Sequence, residues 1–212
     1  YSLPGVGSGG VSEPEYLEDL DNFGAWLRTQ PEVKHVASFA DIVKRINRSM
    51  NSDRQNFYAV PENRELSAQY LLLYEMSLPY GLDLNDQLNV DKSESRLLVT
   101  LTNVSTTQMK DLRSRAIGWL RENTPEAMHV QPSGQAVMFA YIGERNFKAM
   151  TRGTLLAFIL ISACLMLALR SLRLGLISLI PNIAPPIVAF GAFSLVQTEV
   201  GFWTSFVTAT AI

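Results

Sequence analysis

The chain has 212 residues, a net charge of −2 and a mean hydropathy of +0.09. These averages hide a division, because 16 of the 18 Lys and Arg residues and 19 of the 20 Asp and Glu residues lie within residues 1–152. The polar part has no basic run and no basic patch interleaved with aromatic residues, so we expect no nucleic-acid partner. Cys164 is the single cysteine, which excludes a disulfide within the chain and a thiol cluster for a metal.

The polar part begins with a glycine-rich stretch at residues 1–10, which predicts a flexible entry. Apolar residues at helical spacing then predict an amphipathic helix over about residues 13–30. Ser12 and Glu15 stand in the pattern of a capping box at its start. Loose alternation after the helix predicts a strand over residues 33–39.

Two more helices are predicted over residues 41–50 and 65–78. The second is unusually rich in Leu and Tyr. It is either buried between neighbouring elements or lines a hydrophobic substrate cleft with Tyr70, Leu73 and Tyr74.

The polar part contains an internal echo. Residues 26–36 are repeated, with one insertion, by residues 119–130, and each copy begins Trp-Leu-Arg and runs through Pro-Glu to His and Val. An amphipathic helix capped by Ser105 or Thr106 precedes the second copy, and a strand is predicted after it. Strands are also predicted over residues 88–90 and 96–103. The repeated unit is therefore strand, helix, strand.

Two such units predict an α+β ferredoxin-like domain of the split βαβ type, which we assign to residues 1–148. Its first strand would be truncated to residues 1–3.

The candidate chemistry in this domain is sparse. His35 and His129 hold matching places in the echo, without the further ligands that a metal site needs. Ser133 lacks the frame of a nucleophile elbow. We therefore expect no catalytic residue, no cofactor, no metal and no enzymatic activity.

The last 60 residues predict membrane helices over about residues 153–169, 174–197 and 203–212, within the region 149–212. A buried core helix of a soluble protein is usually shorter than these uncharged runs. The connection at residues 170–173 is so short that the first two helices must form an antiparallel hairpin.

Arg170 and Arg173 lie in that connection, whereas residues 197–203 hold no Lys or Arg. The positive-inside rule therefore places the two arginines in the cytoplasm, and the polar domain on the opposite side of the membrane.

The second predicted span contains Pro181, Asn182, Pro185 and Pro186. The prolines remove backbone donors and predict a kinked helix packed against others. Asn182 either lines a transport path or joins helices by hydrogen bonds.

Four stretches carry a resemblance to a known family. They are PENREL at residues 61–66, QYLLLYE at 69–75, LRSLRLGL at 169–176 and LIPNIAP at 179–185. Together they resemble the RND superfamily of transporters, in its MMPL-like or hopanoid-exporter-like branch of predicted exporters.

The resemblance implies that residues 1–148 are the second periplasmic porter domain and that the spans are the eighth, the ninth and the start of the tenth transmembrane helix. It implies a proton-driven exporter of hydrophobic or lipid-like molecules in the bacterial inner membrane, surrounded by membrane lipids and functioning as a homo-oligomer. The rest of the same transporter, with its proton-relay residues, would lie outside this chain.

Two other functions are compatible with the sequence. A membrane-anchored extracytoplasmic binding or sensing domain would use the helices only as a tether. A relative of the same superfamily that assists protein translocation would share the architecture and differ in its client.

Overall fold

The computed structural model describes residues 1–79 and 84–170, together with residues 173, 177, 181, 184, 187 and 188. The chain divides into two compact units, Tyr1–Gly134 and Gln135–Ile212. The first is a mixed α/β unit with two short antiparallel sheets, and the second begins with one long helix.

Four α-helices are described in the first unit. They are α1 Pro14–Arg28, α2 Phe39–Met50, α3 Arg64–Ser77 and α4 Thr106–Asn123. Side-chain oxygens of Ser38, Asn63 and Ser105 accept backbone N–H groups in the first turns of α2, α3 and α4. Ser105, one of the two caps predicted for α4, forms a complete capping box with Gln108.

The start of α1 differs from the prediction. Glu13 is its N-cap and makes no side-chain cap, and Pro14 occupies the first helical position. Ser12 is buried in a short 3-10 helix, Gly10–Ser12. The predicted capping box of Ser12 and Glu15 is therefore wrong. Proline fixes the first helical φ and has no N–H to satisfy, so the helix begins there without a side-chain cap.

Four strands form two antiparallel pairs. They are β1 Ser2–Pro4, β2 Val33–Ala37, β3 Glu94–Arg96 and β4 Leu98–Leu101. β1 pairs with β3, and β2 pairs with β4. Since β3 and β4 are separated only by Leu97, one extended stretch passes from a pairing with β1 to a pairing with β2.

The strand predicted after α4 is not formed. Glu126–Met128 is a 3-10 helix, and residues 129–134 have no regular structure. The N–H groups of Met128 and His129 donate to Pro125 and Glu126, at 2.9 and 3.0 Å. These local bonds use donors that a strand ladder would need, while Met128 itself is buried.

The glycine-rich entry is ordered by backbone contacts. The N–H of Gly5 donates to Ser93 at 2.7 Å, and that of Gly9 donates to Asp91 at 3.0 Å. A Cβ built on Gly5 would lie 2.8 Å from the carbonyl carbon of Gly10. The prediction of a flexible entry is wrong, because glycine here permits a close approach of two backbone segments.

The core of the first unit is centred on one face of α1. Leu17, Leu20, Phe23 and Leu27 are fully buried there. Leu120, which corresponds to Leu27 in the echo, is fully buried from α4. Strand and loop residues complete the same cluster, among them Leu3, Val36 and Leu97.

The second unit begins with α5, Gln135–Leu169, which has 35 residues. At 1.5 Å per residue it is about 52 Å long, which exceeds the roughly 30 Å thickness of a bilayer's hydrocarbon core. Among the described residues, Gln135–Ala168 is the one stretch long and apolar enough to cross a membrane, by length and composition. The helix begins well before residue 153, where the uncharged run starts.

Candidate functional site

The three residues predicted to line a cleft on α3 have different surroundings. Tyr70 is buried, and its hydroxyl donates to Asn47 Oδ1 at 3.2 Å. Leu73 is exposed at the surface. Tyr74 is partly buried and lines an open cavity. One side of α3 is therefore buried, and the structure brings only Tyr74 of the three to this cavity.

We call this space the basic cavity. It has a volume of about 630 Å³ and is partly open to solvent. Its basic and acidic lining residues are Arg28, His35, Asp41, Lys44 and Arg45. A volume of this size is in the range of small-molecule binding sites, roughly 300–1,000 Å³.

Three elements build the wall of the basic cavity that carries these charges. Arg28 ends α1, residues 35–37 belong to β2, and Ser38 caps α2. Arg28 ties the elements together, because its Nη2 donates to the carbonyl oxygen of Val36 at 3.1 Å and to Asp41 Oδ2 at 2.5 Å.

A second ion pair lies beside the first. Lys44 Nζ donates to Asp21 Oδ1 at 2.5 Å and lies 3.8 Å from Asp41 Oδ1. The Lys44 side chain is only 10% exposed, so its charge is held mainly by these two carboxylates. The two pairs join α1 to α2 and neutralise the charges of Arg28 and Lys44.

The ring of Tyr58 lies against two cations. Lys44 Nζ is 4.9 Å from the ring centroid, and Arg48 Cζ is 5.7 Å from it. Such contacts stabilise a cation by about 0.5–1 kcal/mol at exposed sites. They hold Tyr58 as one wall of the cavity, with Tyr74 and Gln87 also contributing to the lining.

Sequence reasoning missed the basic cavity. The spacing of Lys44, Arg45 and Arg48 gives α2 a cationic side. This was the one sequence feature that could have indicated the basic cavity. Arg28, Tyr74 and Gln87 lie far from α2 in the sequence, and no spacing rule links them to it.

A second, smaller cavity of about 330 Å³ has the opposite charge. Glu13, Glu15 and Asp19 line it, together with apolar residues that include Met128. Burial, and then the neighbouring carboxylates of Glu15 and Glu18, raise the pKa of Asp19. Glu13 forms an ion pair with Arg64 at 3.0 Å.

In the described part of the chain, no group of three or more His, Cys, Asp or Glu side chains could hold a metal ion. His35 lies in β2 on the wall of the basic cavity. His129 follows a 3-10 helix, and its Nε2 lies 3.0 Å from the carbonyl oxygen of Thr124. The two histidines of the echo thus occupy different local structures.

The residues predicted in the membrane region are only partly described. Arg170 has a left-handed conformation with φ of 48°, which ends α5 at the start of the predicted connection. Arg173 and Pro181 are exposed helical residues. Asn182, Pro185 and Pro186 lie outside the described residues, as do most of the second predicted span and all of the third.

In comparisons with protein-family models, curated proteins and solved structures, none matches this chain.

Proposed function

We propose that this chain is part of a proton-driven transporter of the RND type, which exports hydrophobic or lipid-like molecules. The observation that carries the proposal is the succession of a folded polar unit and the long helix α5. A polar α/β unit ends at Gly134, and α5 then runs through residues 153–169 without a charged residue. The resemblance of residues 61–75 and 169–185 to this superfamily supplies the type of transporter.

The pairing of the strands gives further support. In a split βαβ fold, the third strand lies between the first two and is antiparallel to both. Here β3 is antiparallel to β1, and β4, which continues β3 after Leu97, is antiparallel to β2. This partial agreement favours a ferredoxin-like porter domain that lacks its last strand.

We place the polar unit on the periplasmic side of the bacterial inner membrane. Large apolar side chains of α5 are exposed, as is expected for a helix that contacts lipid, and they include Leu155, Leu156, Ile159 and Leu160. Arg170 follows at the turn that ends the helix. Under this proposal the partners are membrane lipids, the lipid-like substrate, the remainder of the transporter and further copies in a homo-oligomer.

The orientation can be tested by cysteine labelling in intact cells. Cys164 is first replaced by serine, and single cysteines are then introduced by Asn22→Cys in α1 and Ser171→Cys in the predicted cytoplasmic connection. A membrane-impermeant maleimide should label the first variant and not the second until the cells are opened. If Ser171→Cys were labelled in intact cells and Asn22→Cys were not, the orientation would be the opposite of the proposed one.

Transport is tested with the complete protein that contains this chain, reconstituted in liposomes. An imposed proton gradient should accelerate transfer of a fluorescent lipid analogue across the liposome membrane, and an uncoupler should abolish the acceleration. Binding of the analogue with no transfer under any gradient would contradict the proposal and favour a membrane-anchored binding or sensing domain.

A further inference from the structure

The basic cavity is lined by a positively charged side chain that belongs to neither of the two ion pairs described above. Arg28 is paired with Asp41, and Lys44 is paired with Asp21. Arg45 also lines the cavity and is exposed. Among the residues that the structure describes, no carboxylate forms an ion pair with Arg45. The cavity therefore presents one uncompensated guanidinium group beside two neutralised pairs.

Residues with hydrogen-bonding side chains also line this space. They are Tyr58, Tyr74 and Gln87, and within the described ranges neither of the two phenols nor the amide makes a side-chain hydrogen bond. A phenol can donate and accept, and an amide offers two donors and one acceptor. The wall can thus recognise hydroxyl groups in addition to a charge.

These features select one class of ligand. An organic cation would be repelled by the unpaired guanidinium group of Arg45. A bare hydrocarbon chain would have to desolvate these polar groups without replacing their bonds to water, which is unfavourable. A guanidinium group with unused donors matches the oxygens of a phosphate, which it binds with two parallel hydrogen bonds.

We propose that the basic cavity binds a phosphate monoester with a small hydroxylated body. Arg45 is the charge partner of the phosphate, and Tyr58, Tyr74 and Gln87 bind the body. The cavity lies within the first unit, so this inference does not depend on the transport function. The ligand has two possible sources, a free phosphate ester and the headgroup of a lipid, which share this chemistry.

The test uses the full chain in nanodiscs of phosphatidylcholine, with empty nanodiscs as the blank. Binding of glycerol phosphate, hexyl phosphate and inorganic phosphate is followed by ³¹P NMR line broadening. Glycerol phosphate should bind more tightly than hexyl phosphate, which has no hydroxyl groups, and more tightly than inorganic phosphate. Nanodiscs that also contain phosphatidylinositol 4-phosphate distinguish the two sources. Competition between this lipid and glycerol phosphate assigns a lipid headgroup as the source, and no competition assigns a free ester.

Two substitutions of cavity residues, and one control substitution outside the cavity, test which side chains bind the ligand. Arg45→Gln should weaken binding about tenfold or more, because hydrogen bonds to charged groups are stronger than neutral ones. Tyr74→Phe removes one hydroxyl group and should weaken binding about threefold. Arg121→Gln removes an exposed arginine of α4 that does not line the cavity, and should leave binding unchanged.

Far-UV circular dichroism confirms that each variant keeps the fold. The proposal is overturned if glycerol phosphate does not bind, if hexyl phosphate or inorganic phosphate binds as tightly as glycerol phosphate, or if Arg45→Gln and Arg121→Gln have equal effects.

Discussion

The indole rings of Trp26 and Trp119 stack on one another, with centroids 5.8 Å apart and planes inclined by 26°. These two residues occupy the same position in the two copies of the internal echo. Phe23 lies beside both, at 6.1 Å from Trp26 and 5.3 Å from Trp119. The repeated sequence thus places equivalent side chains of α1 and α4 against each other.

This contact can be measured by a double-mutant cycle with Trp26→Leu and Trp119→Leu. We expect a coupling of about 0.5–1.5 kcal/mol, because stacked aromatic pairs contribute roughly this much beyond their buried area. Unfolding of the detergent-solubilised chain by urea, followed by far-UV circular dichroism, gives the free energies.

The control cycle combines Trp119→Leu with Tyr58→Leu, since the described structure contains no ring contact between these two residues. Additivity in both cycles would show that the stack contributes nothing specific to stability.

Tyr16 anchors α1 to the strands through its buried hydroxyl. The oxygen lies 2.7 Å from the carbonyl oxygen of Leu3, to which it donates, and 2.6 Å from Ser95 Oγ. Tyr16→Phe should reduce the free energy of unfolding by about 1–3 kcal/mol, since it leaves buried partners unsatisfied. In urea unfolding, Tyr74→Phe should have a much smaller effect, because the Tyr74 hydroxyl makes no hydrogen bond within the described residues.

Alkaline pH should destabilise the first unit through the same tyrosine. Burial raises the pKa of Tyr16 to about 12, and burial likewise raises the pKa of Tyr1 to about 12. Their ordinary value, near 10, applies to the unfolded chain. The folded state then binds more protons than the unfolded state between these values, so stability is complete below about pH 10 and falls as the pH rises toward 12.

The urea midpoint, measured at intervals across this range, should therefore decrease, and Tyr16→Phe should show a shallower decrease. A wild-type midpoint that stays constant through this pH range would show that the two phenols are not buried as the structure places them.

The glycine-rich entry offers a test of backbone packing. Gly5→Ala should destabilise the chain by about 1–3 kcal/mol, a usual cost of overpacking, because the new methyl group would meet the backbone of Gly10 at 2.8 Å. Gly118→Ala is the matched control, since its Cβ would meet nothing within 4 Å and it lies inside α4.

The control should be neutral or stabilise the chain by up to about 1 kcal/mol, through the higher helix propensity of alanine. Equal effects of the two substitutions in thermal unfolding would mean that the entry is as flexible as its composition suggests.

Local sequence patterns were sufficient to predict the α-helices of the first unit. Apolar spacing predicted α1, α2, α3 and α4 to within a few residues, because each helix buries one stripe whose period is visible in the sequence. The strand after α4 was predicted by the same kind of reasoning and is not formed. A short alternation of polar and apolar residues is a weaker signal than the apolar stripe of a helix. Here the N–H groups of Met128 and His129 form local hydrogen bonds and do not pair with another strand.

The sequence by itself determined the division into a polar part and an apolar part, the helices of the polar part and the internal echo, since composition and periodicity are properties of neighbouring residues. Only the tertiary structure decided that Trp26 meets Trp119, that Gly5 meets Gly10, and that Arg28, Arg45 and Tyr74 surround one cavity. These relations depend on how helices and strands pack across long separations in the chain. Burial of apolar surface drives that packing and has no direction of its own, so particular contacts are fixed by shape and hydrogen bonding after the elements meet.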